Sequence, residues 1–131
     1  DVADGEYTFK NIQPRDKNDE FAKYVSELFL GYKVDLNFIC KSLLNQEEPN
    51  FVHTDEMMGD ITCLLYLNEQ APEDDGTTVY DEDKKALITM YSKFNRMIAF
   101  NSDAPHSRNL FHNFGEAETA RLVQIIFLKV K

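Results

Sequence analysis

Apolar positions change their period along the chain, and the changes mark out its elements. Residues 7–13 (YTFKNIQ) alternate as a short edge strand would, and Pro14 ends the run. From Asn18 the spacing lengthens. Phe21, Tyr24, Val25, Leu28 and Tyr32 fall on one helical face, with Glu20, Lys23 and Glu27 mostly opposite. Asn18 is placed to cap this helix and Gly31 to stop it. Beyond it the signals are those of strands: 34–43, 50–55 after a Gln-Glu-Glu-Pro break, 61–68, a short 77–81, 96–101 and 121–130. Residues 86–94 (ALITMYSKF) fit a strand or a helix equally well. The last run is apolar on both faces, which places it inside the fold.

Many short strands separated by polar turns, preceded by one helix, predict a β-sandwich or barrel rather than βαβ units. The 131 residues suit one domain spanning 1–131. No internal repeat is visible. The acidic stretch 68–85, which contains Pro72 and Gly76, reads as a solvated loop or as a lid beside a site. It is not an EF-hand, because the Asp/Asn spacing before Gly76 is wrong.

The charge narrows the partners. A net charge of −9, from 23 acidic and 14 basic residues, opposes general binding to nucleic-acid phosphates or anionic membranes. No apolar stretch approaches the roughly 20 residues of a membrane span. No signal-peptide pattern opens the sequence, although Asp1 in place of Met allows it to start within a longer chain. Cys40 and Cys63 both sit in apolar runs and are expected as buried thiols in a reducing compartment, so the cytoplasm is the expected location. Composition leaves the oligomeric state open.

The candidate chemistry starts at His53-Thr54-Asp55. On an extended backbone, side chains two residues apart point to the same side, as two ligands of one metal must. A lone H-x-D is weak evidence. It gains weight from His106, which follows a strand (RMIAF) and a turn (NSDAP). Two histidines and one carboxylate form the facial triad of non-haem Fe(II), leaving three coordination positions open. His112 competes with His106 but sits in an irregular stretch. A common occupant of the open positions is 2-oxoglutarate, whose distal carboxylate needs a partner in an apolar interior. Arg121 opens the final apolar strand and can offer a two-pronged donor. No acidic residue shares its strand face, so the ligand is the expected partner, with a plain salt bridge as the alternative. Arg108, two residues beyond His106, is its rival for the cosubstrate or for a substrate carboxylate. Tyr66 is placed to donate a hydroxyl to the same carboxylate. Arg96 is expected to anchor the start of its strand. Met57 and Met58 are expected in packing or a loop, since thioethers suit softer metals.

Taken in order, HTD, ITCLLYLN, GTTVY, KFNRMIAFNSDAPH and ARLVQIIFL resemble the Fe(II)/2-oxoglutarate-dependent dioxygenases, nearest to the prolyl-hydroxylase-like group and related microbial and phage proteins. The resemblance covers about residues 34–130. It implies a double-stranded β-helix, or jelly roll, with the N-terminal helix packed on the outer sheet. It implies His53, Asp55 and His106 as iron ligands, Arg121 as the partner of the 2-oxoglutarate carboxylate and Tyr66 as its helper. Asp75-Gly76 departs from the usual Gly-Gly, and the distance from His106 to Arg121 is longer than usual.

The resulting expectation is an oxygenase using Fe(II) and 2-oxoglutarate, with ascorbate as a possible auxiliary reductant. It would hydroxylate a peptidyl proline or a small molecule and release succinate and carbon dioxide. The rivals are a non-catalytic jelly-roll module that binds metal or a partner, and a cupin-type metalloenzyme without 2-oxoglutarate.

Overall fold

A computed structural model describes residues 2–4, 7–9, 12–42, 52–109 and 119–131. Among them one helix, α1 (Glu20–Leu28), accompanies ten strands. Strands β1 (Val2–Asp4) and β2 (Tyr7–Phe9) form a hairpin of their own. A five-stranded antiparallel sheet runs β3 (Ile12–Pro14), β4 (Tyr32–Ser42), β10 (Arg121–Val130), β5 (Ile61–Tyr66) and β8 (Met97–Asn101). A three-stranded antiparallel sheet runs β7 (Ala86–Tyr91), β6 (Gly76–Tyr80) and β9 (His106–Arg108). His53 adds an isolated antiparallel bridge to His106 at the free side of β9. The protein is therefore mainly β, with most neighbours in a sheet far apart in sequence.

The doubly apolar final run becomes the centre of the larger sheet. β10 pairs with β4 on one side and β5 on the other, so both of its hydrogen-bonding edges are satisfied, and each of its faces packs into a core. Val123, Ile125 and Phe127 join Phe38, Tyr66 and Ile98 in one core. Ile126 and Leu128 join Cys63, Ala22 and Val25 in a second core, against α1. A register shift between Phe127 and Leu128 marks a bulge near the end of the pairing with β4. Cys63 is fully buried, and desolvation pushes its thiol up to about 12, so it packs as an inert apolar group. Cys40 sits at intermediate depth.

The helix differs in detail from its sequence pattern. Asp19, not Asn18, is the cap: its backbone is extended, and its Oδ1 accepts from the Ala22 amide at 2.9 Å. The helix ends at Leu28 with Phe29 as its cap, and Gly31 takes its positive φ of 91° in the turn that follows. Ala22 and Val25 carry the buried face, whereas Tyr24 and Leu28 are half exposed and Tyr32 belongs to β4. The helix is short enough that one buried stripe suffices to seat it.

Three other expectations are corrected. Residues 7–13 are two strands, not one, and only Ile12–Pro14 forms an edge of the large sheet. Among the described residues of 50–55 there is no regular strand, only the bridge at His53. The stretch 68–85 is not a single loop, because β6 lies inside it at the centre of the three-stranded sheet. Asp75 there is 1% exposed, its amide donates to the Pro72 carbonyl at 3.0 Å and its carbonyl accepts from the Ser92 amide at 2.8 Å. These bonds fix Asp75 just before β6, whereas the flanking stretches 72–74 and 82–85 are exposed. The ambiguous 86–94 is a strand over Ala86–Tyr91, at the sheet edge, where Leu87 and Ile88 remain exposed. No described helix is long and apolar enough to cross a membrane.

Candidate metal centre

His53 and Asp55 are fixed by backbone contacts rather than by a continuous strand. The His53 amide donates to the His106 carbonyl at 2.9 Å, and the His106 amide returns the bond at 2.8 Å. Two residues on, the Asp55 amide donates to the Ser102 carbonyl at 2.8 Å. Ser102 is fully buried and shares a 2.8 Å hydroxyl hydrogen bond with Thr62 of β5. The turn that presents Asp55 is thus tied to β5 and the end of β8, at one edge of the larger sheet. The near-extended H-x-D spacing is preserved by these three bonds.

The three side chains meet. One ligand atom from each of His53, Asp55 and His106 lies within 4.8 Å of the other two. His106 Nε2 is 2.9 Å from Asp55 Oδ2, and His53 Nε2 is 3.6 Å from Asp55 Oδ1. Two ligands on bonds of about 2.1 Å at right angles stand about 3 Å apart, so the arrangement fits one small divalent ion. Asp55 and His106 are buried and His53 is partly exposed, which leaves approach from one side. The imidazole of His106 packs against the His53 imidazole and the Phe100 phenyl ring, with ring centroids at 4.4 and 4.6 Å.

The orientation of His106 is set by a contact that the sequence does not announce. Its Nδ1 lies 2.9 Å from the Ala104 carbonyl oxygen. A carbonyl only accepts, so Nδ1 carries a proton and Nε2 turns towards Asp55. Such a bond to the far nitrogen is the usual support of a metal-binding imidazole. The donor set, two nitrogens and one carboxylate with open positions, matches non-haem Fe(II).

A second polar cluster lies between the two sheets. Tyr66 of β5 is 2% exposed and shares a 2.7 Å hydrogen bond with Thr77 of β6. Burial raises the Tyr66 phenol above its ordinary range, a rise that the bond to Thr77 and the positive charge of Arg121 partly offset. It therefore stays a neutral donor. Arg121 opens β10 on the face of Val123 and Ile125, and its Nε donates to Asp75 Oδ1 at 3.0 Å. This is the alternative salt bridge, and it corrects the expectation that Arg121 lacks an acidic partner: Asp75 lies just before β6 of the other sheet, so the period of Arg121's own strand could not disclose it. Arg108 stands opposite Thr77 in the β6–β9 pairing, on the strand face of His106, and also borders an open cleft of about 430 Å³ with Thr78 and Ser107. Arg96 is exposed and holds the Tyr91 carbonyl at 2.8 Å, a purely local tie. Met58 packs in the core and Met57 is exposed. His112 lies outside the described residues.

These elements define a mainly β protein with a candidate two-histidine, one-carboxylate metal site. The chain belongs to the 2OG-Fe(II) oxygenase superfamily, whose family model matches residues 43–129. No curated protein matches it.

Proposed function

We propose that this protein is a hydroxylase that uses Fe(II) and 2-oxoglutarate to oxidise a C–H bond of a peptidyl proline or a small molecule. The observation that carries the reading is the meeting of His53, Asp55 and His106 in a chain of this superfamily. The strand orders β4-β10-β5-β8 and β7-β6-β9, the latter extended by His53, support a jelly roll with the site at the free side of the smaller sheet. When bound, Fe(II) would activate dioxygen, the oxidant, and 2-oxoglutarate would supply two of the four electrons: dioxygen, 2-oxoglutarate and substrate become succinate, carbon dioxide and hydroxylated product.

The protein's own residues hold and orient. His53, Asp55 and His106 would grip one face of the metal, and Ala104 keeps the Nε2 of His106 directed at it. Arg121 and Tyr66 would receive the distal carboxylate of 2-oxoglutarate, with Arg108 of β9, in the smaller sheet, as a second basic group. The apolar side chains of the core beneath them keep water from the reacting groups. No nucleophilic side chain is required.

Asp55→Ala tests the assignment. Loss of a supporting group behind a ligand costs roughly 10- to 100-fold in metal affinity, and loss of the ligand itself should cost at least that. Iron content should fall and 2-oxoglutarate-dependent succinate release should stop, with the far-ultraviolet circular dichroism unchanged. Wild-type iron content and succinate release in this variant would refute the assignment.

A further inference from the structure

The larger question at the second polar cluster is why a carboxylate should sit beside the arginine meant for an anionic ligand. Asp75 is one of the most deeply buried polar residues, at 1% exposure. It touches Arg121 through Nε alone, at 3.0 Å. A guanidinium has five N–H donors in a rigid planar fork, so the bond to Nε fixes the plane and leaves the two terminal amino groups as a forked edge. The backbone on either side of Arg121 is clamped as well. Asn68 donates from Nδ2 to the Ala120 carbonyl at 2.9 Å and accepts from the Leu122 amide on Oδ1 at 2.8 Å. Asp75 itself is held by Pro72 and Ser92.

We infer that Asp75 is a positioning residue, which fixes the Arg121 guanidinium so that its terminal amino groups face the carboxylate site beside Tyr66 and Thr77. The inference rests on the reading of Arg121 as the anchor for 2-oxoglutarate. The two charges act on Tyr66 in opposite senses, Arg121 favouring and Asp75 disfavouring the phenolate, which puts all three groups within one electrostatic neighbourhood. Two effects of Asp75 oppose each other. Its charge repels an incoming carboxylate, whereas its bond removes the rotational freedom that Arg121 would otherwise lose on binding. Orientation dominates, because Asp75 spends only one donor and leaves the forked pair of charge-assisted bonds intact.

The test is calorimetric titration of 2-oxoglutarate into the Fe(II)-loaded protein without oxygen. Ordering one long side chain accounts for roughly three- to tenfold in affinity. Asp75→Ala should weaken binding by that factor, and Asp75→Asn by less, since an acceptor remains at the same place. In an Arg121→Ala background, either change at Asp75 should alter affinity by less than about twofold, because coupled residues act through one another. Iron affinity should stay the same throughout. Binding as tight as wild type, or tighter, in both Asp75 variants would overturn the positioning role, as would an equal loss with and without Arg121. If Asp75→Ala fails to fold, Asp75→Asn and its double variant decide. Failure of the wild-type protein to bind 2-oxoglutarate would overturn the functional reading and this inference together.

Discussion

At the scale of single residues, the site divides into parts that spacing can reveal and parts that only tertiary structure can. His53 and Asp55 were legible because a two-residue interval on extended backbone puts both side chains on one side. His106 was legible as the first histidine after a strand and turn. The fold brings these three donors together, within 4.8 Å. Ala104 and Asp75 were not legible. One acts through a carbonyl that every residue has, and the other through an ion pair spanning 46 positions. The choice between histidines has a direct check. His106→Ala should lose iron, measured by metal analysis after desalting, whereas His112→Ala should keep it. Retention by the first and loss by the second would move the ligand to His112.

At the scale of elements, periodicity located most strands to within a few residues, and β10 matched at both ends, 121 and 130. It failed where position in the sheet outweighs pattern. Ala86–Tyr91 looked ambiguous because an edge strand keeps apolar residues exposed and so shows no clean alternation. The helix start was displaced by one residue because Asn18 and Asp19 are both good caps. Asp19 prevails by doing more. It caps Ala22 and also accepts from Arg15 at 3.2 Å and from Gln124 of β10 at 3.0 Å. Burial pushes its carboxyl upwards, but these hydrogen bonds together with Asn37 outweigh it and hold the pKa below the ordinary value. Asp19→Ala should therefore cost about 1–2 kcal/mol, the upper range for a lost cap, read from urea unfolding. The sign of the pH effect follows from the lowered pKa. The contribution of the charged form is fully present above the unfolded value near 3.8 and fades as pH falls through the lower folded value. The gap between wild type and Asp19→Ala should narrow in that acidic window. A gap unchanged from neutral pH to below the folded value would contradict this.

At the scale of the whole molecule, two sheets of long-range pairings carry the two clusters: His53, Asp55 and His106 at the free side of the smaller sheet, and Tyr66, Thr77, Asp75 and Arg121 between the sheets. On the proposed reading, the first would hold a metal and the second would receive a carboxylate. Fold class was readable from the number and spacing of apolar runs, but the pairing of strands was not, since residues 32–42 and 121–130 are neighbours only after folding. The central claim is that both clusters act on one molecule of 2-oxoglutarate. Anaerobic titration of the protein with Fe(II) and then 2-oxoglutarate tests it most directly. The account predicts a weak visible charge-transfer band that appears only with both present and saturates at one equivalent of each. Iron binding with no band, and no heat, on addition of 2-oxoglutarate would contradict it.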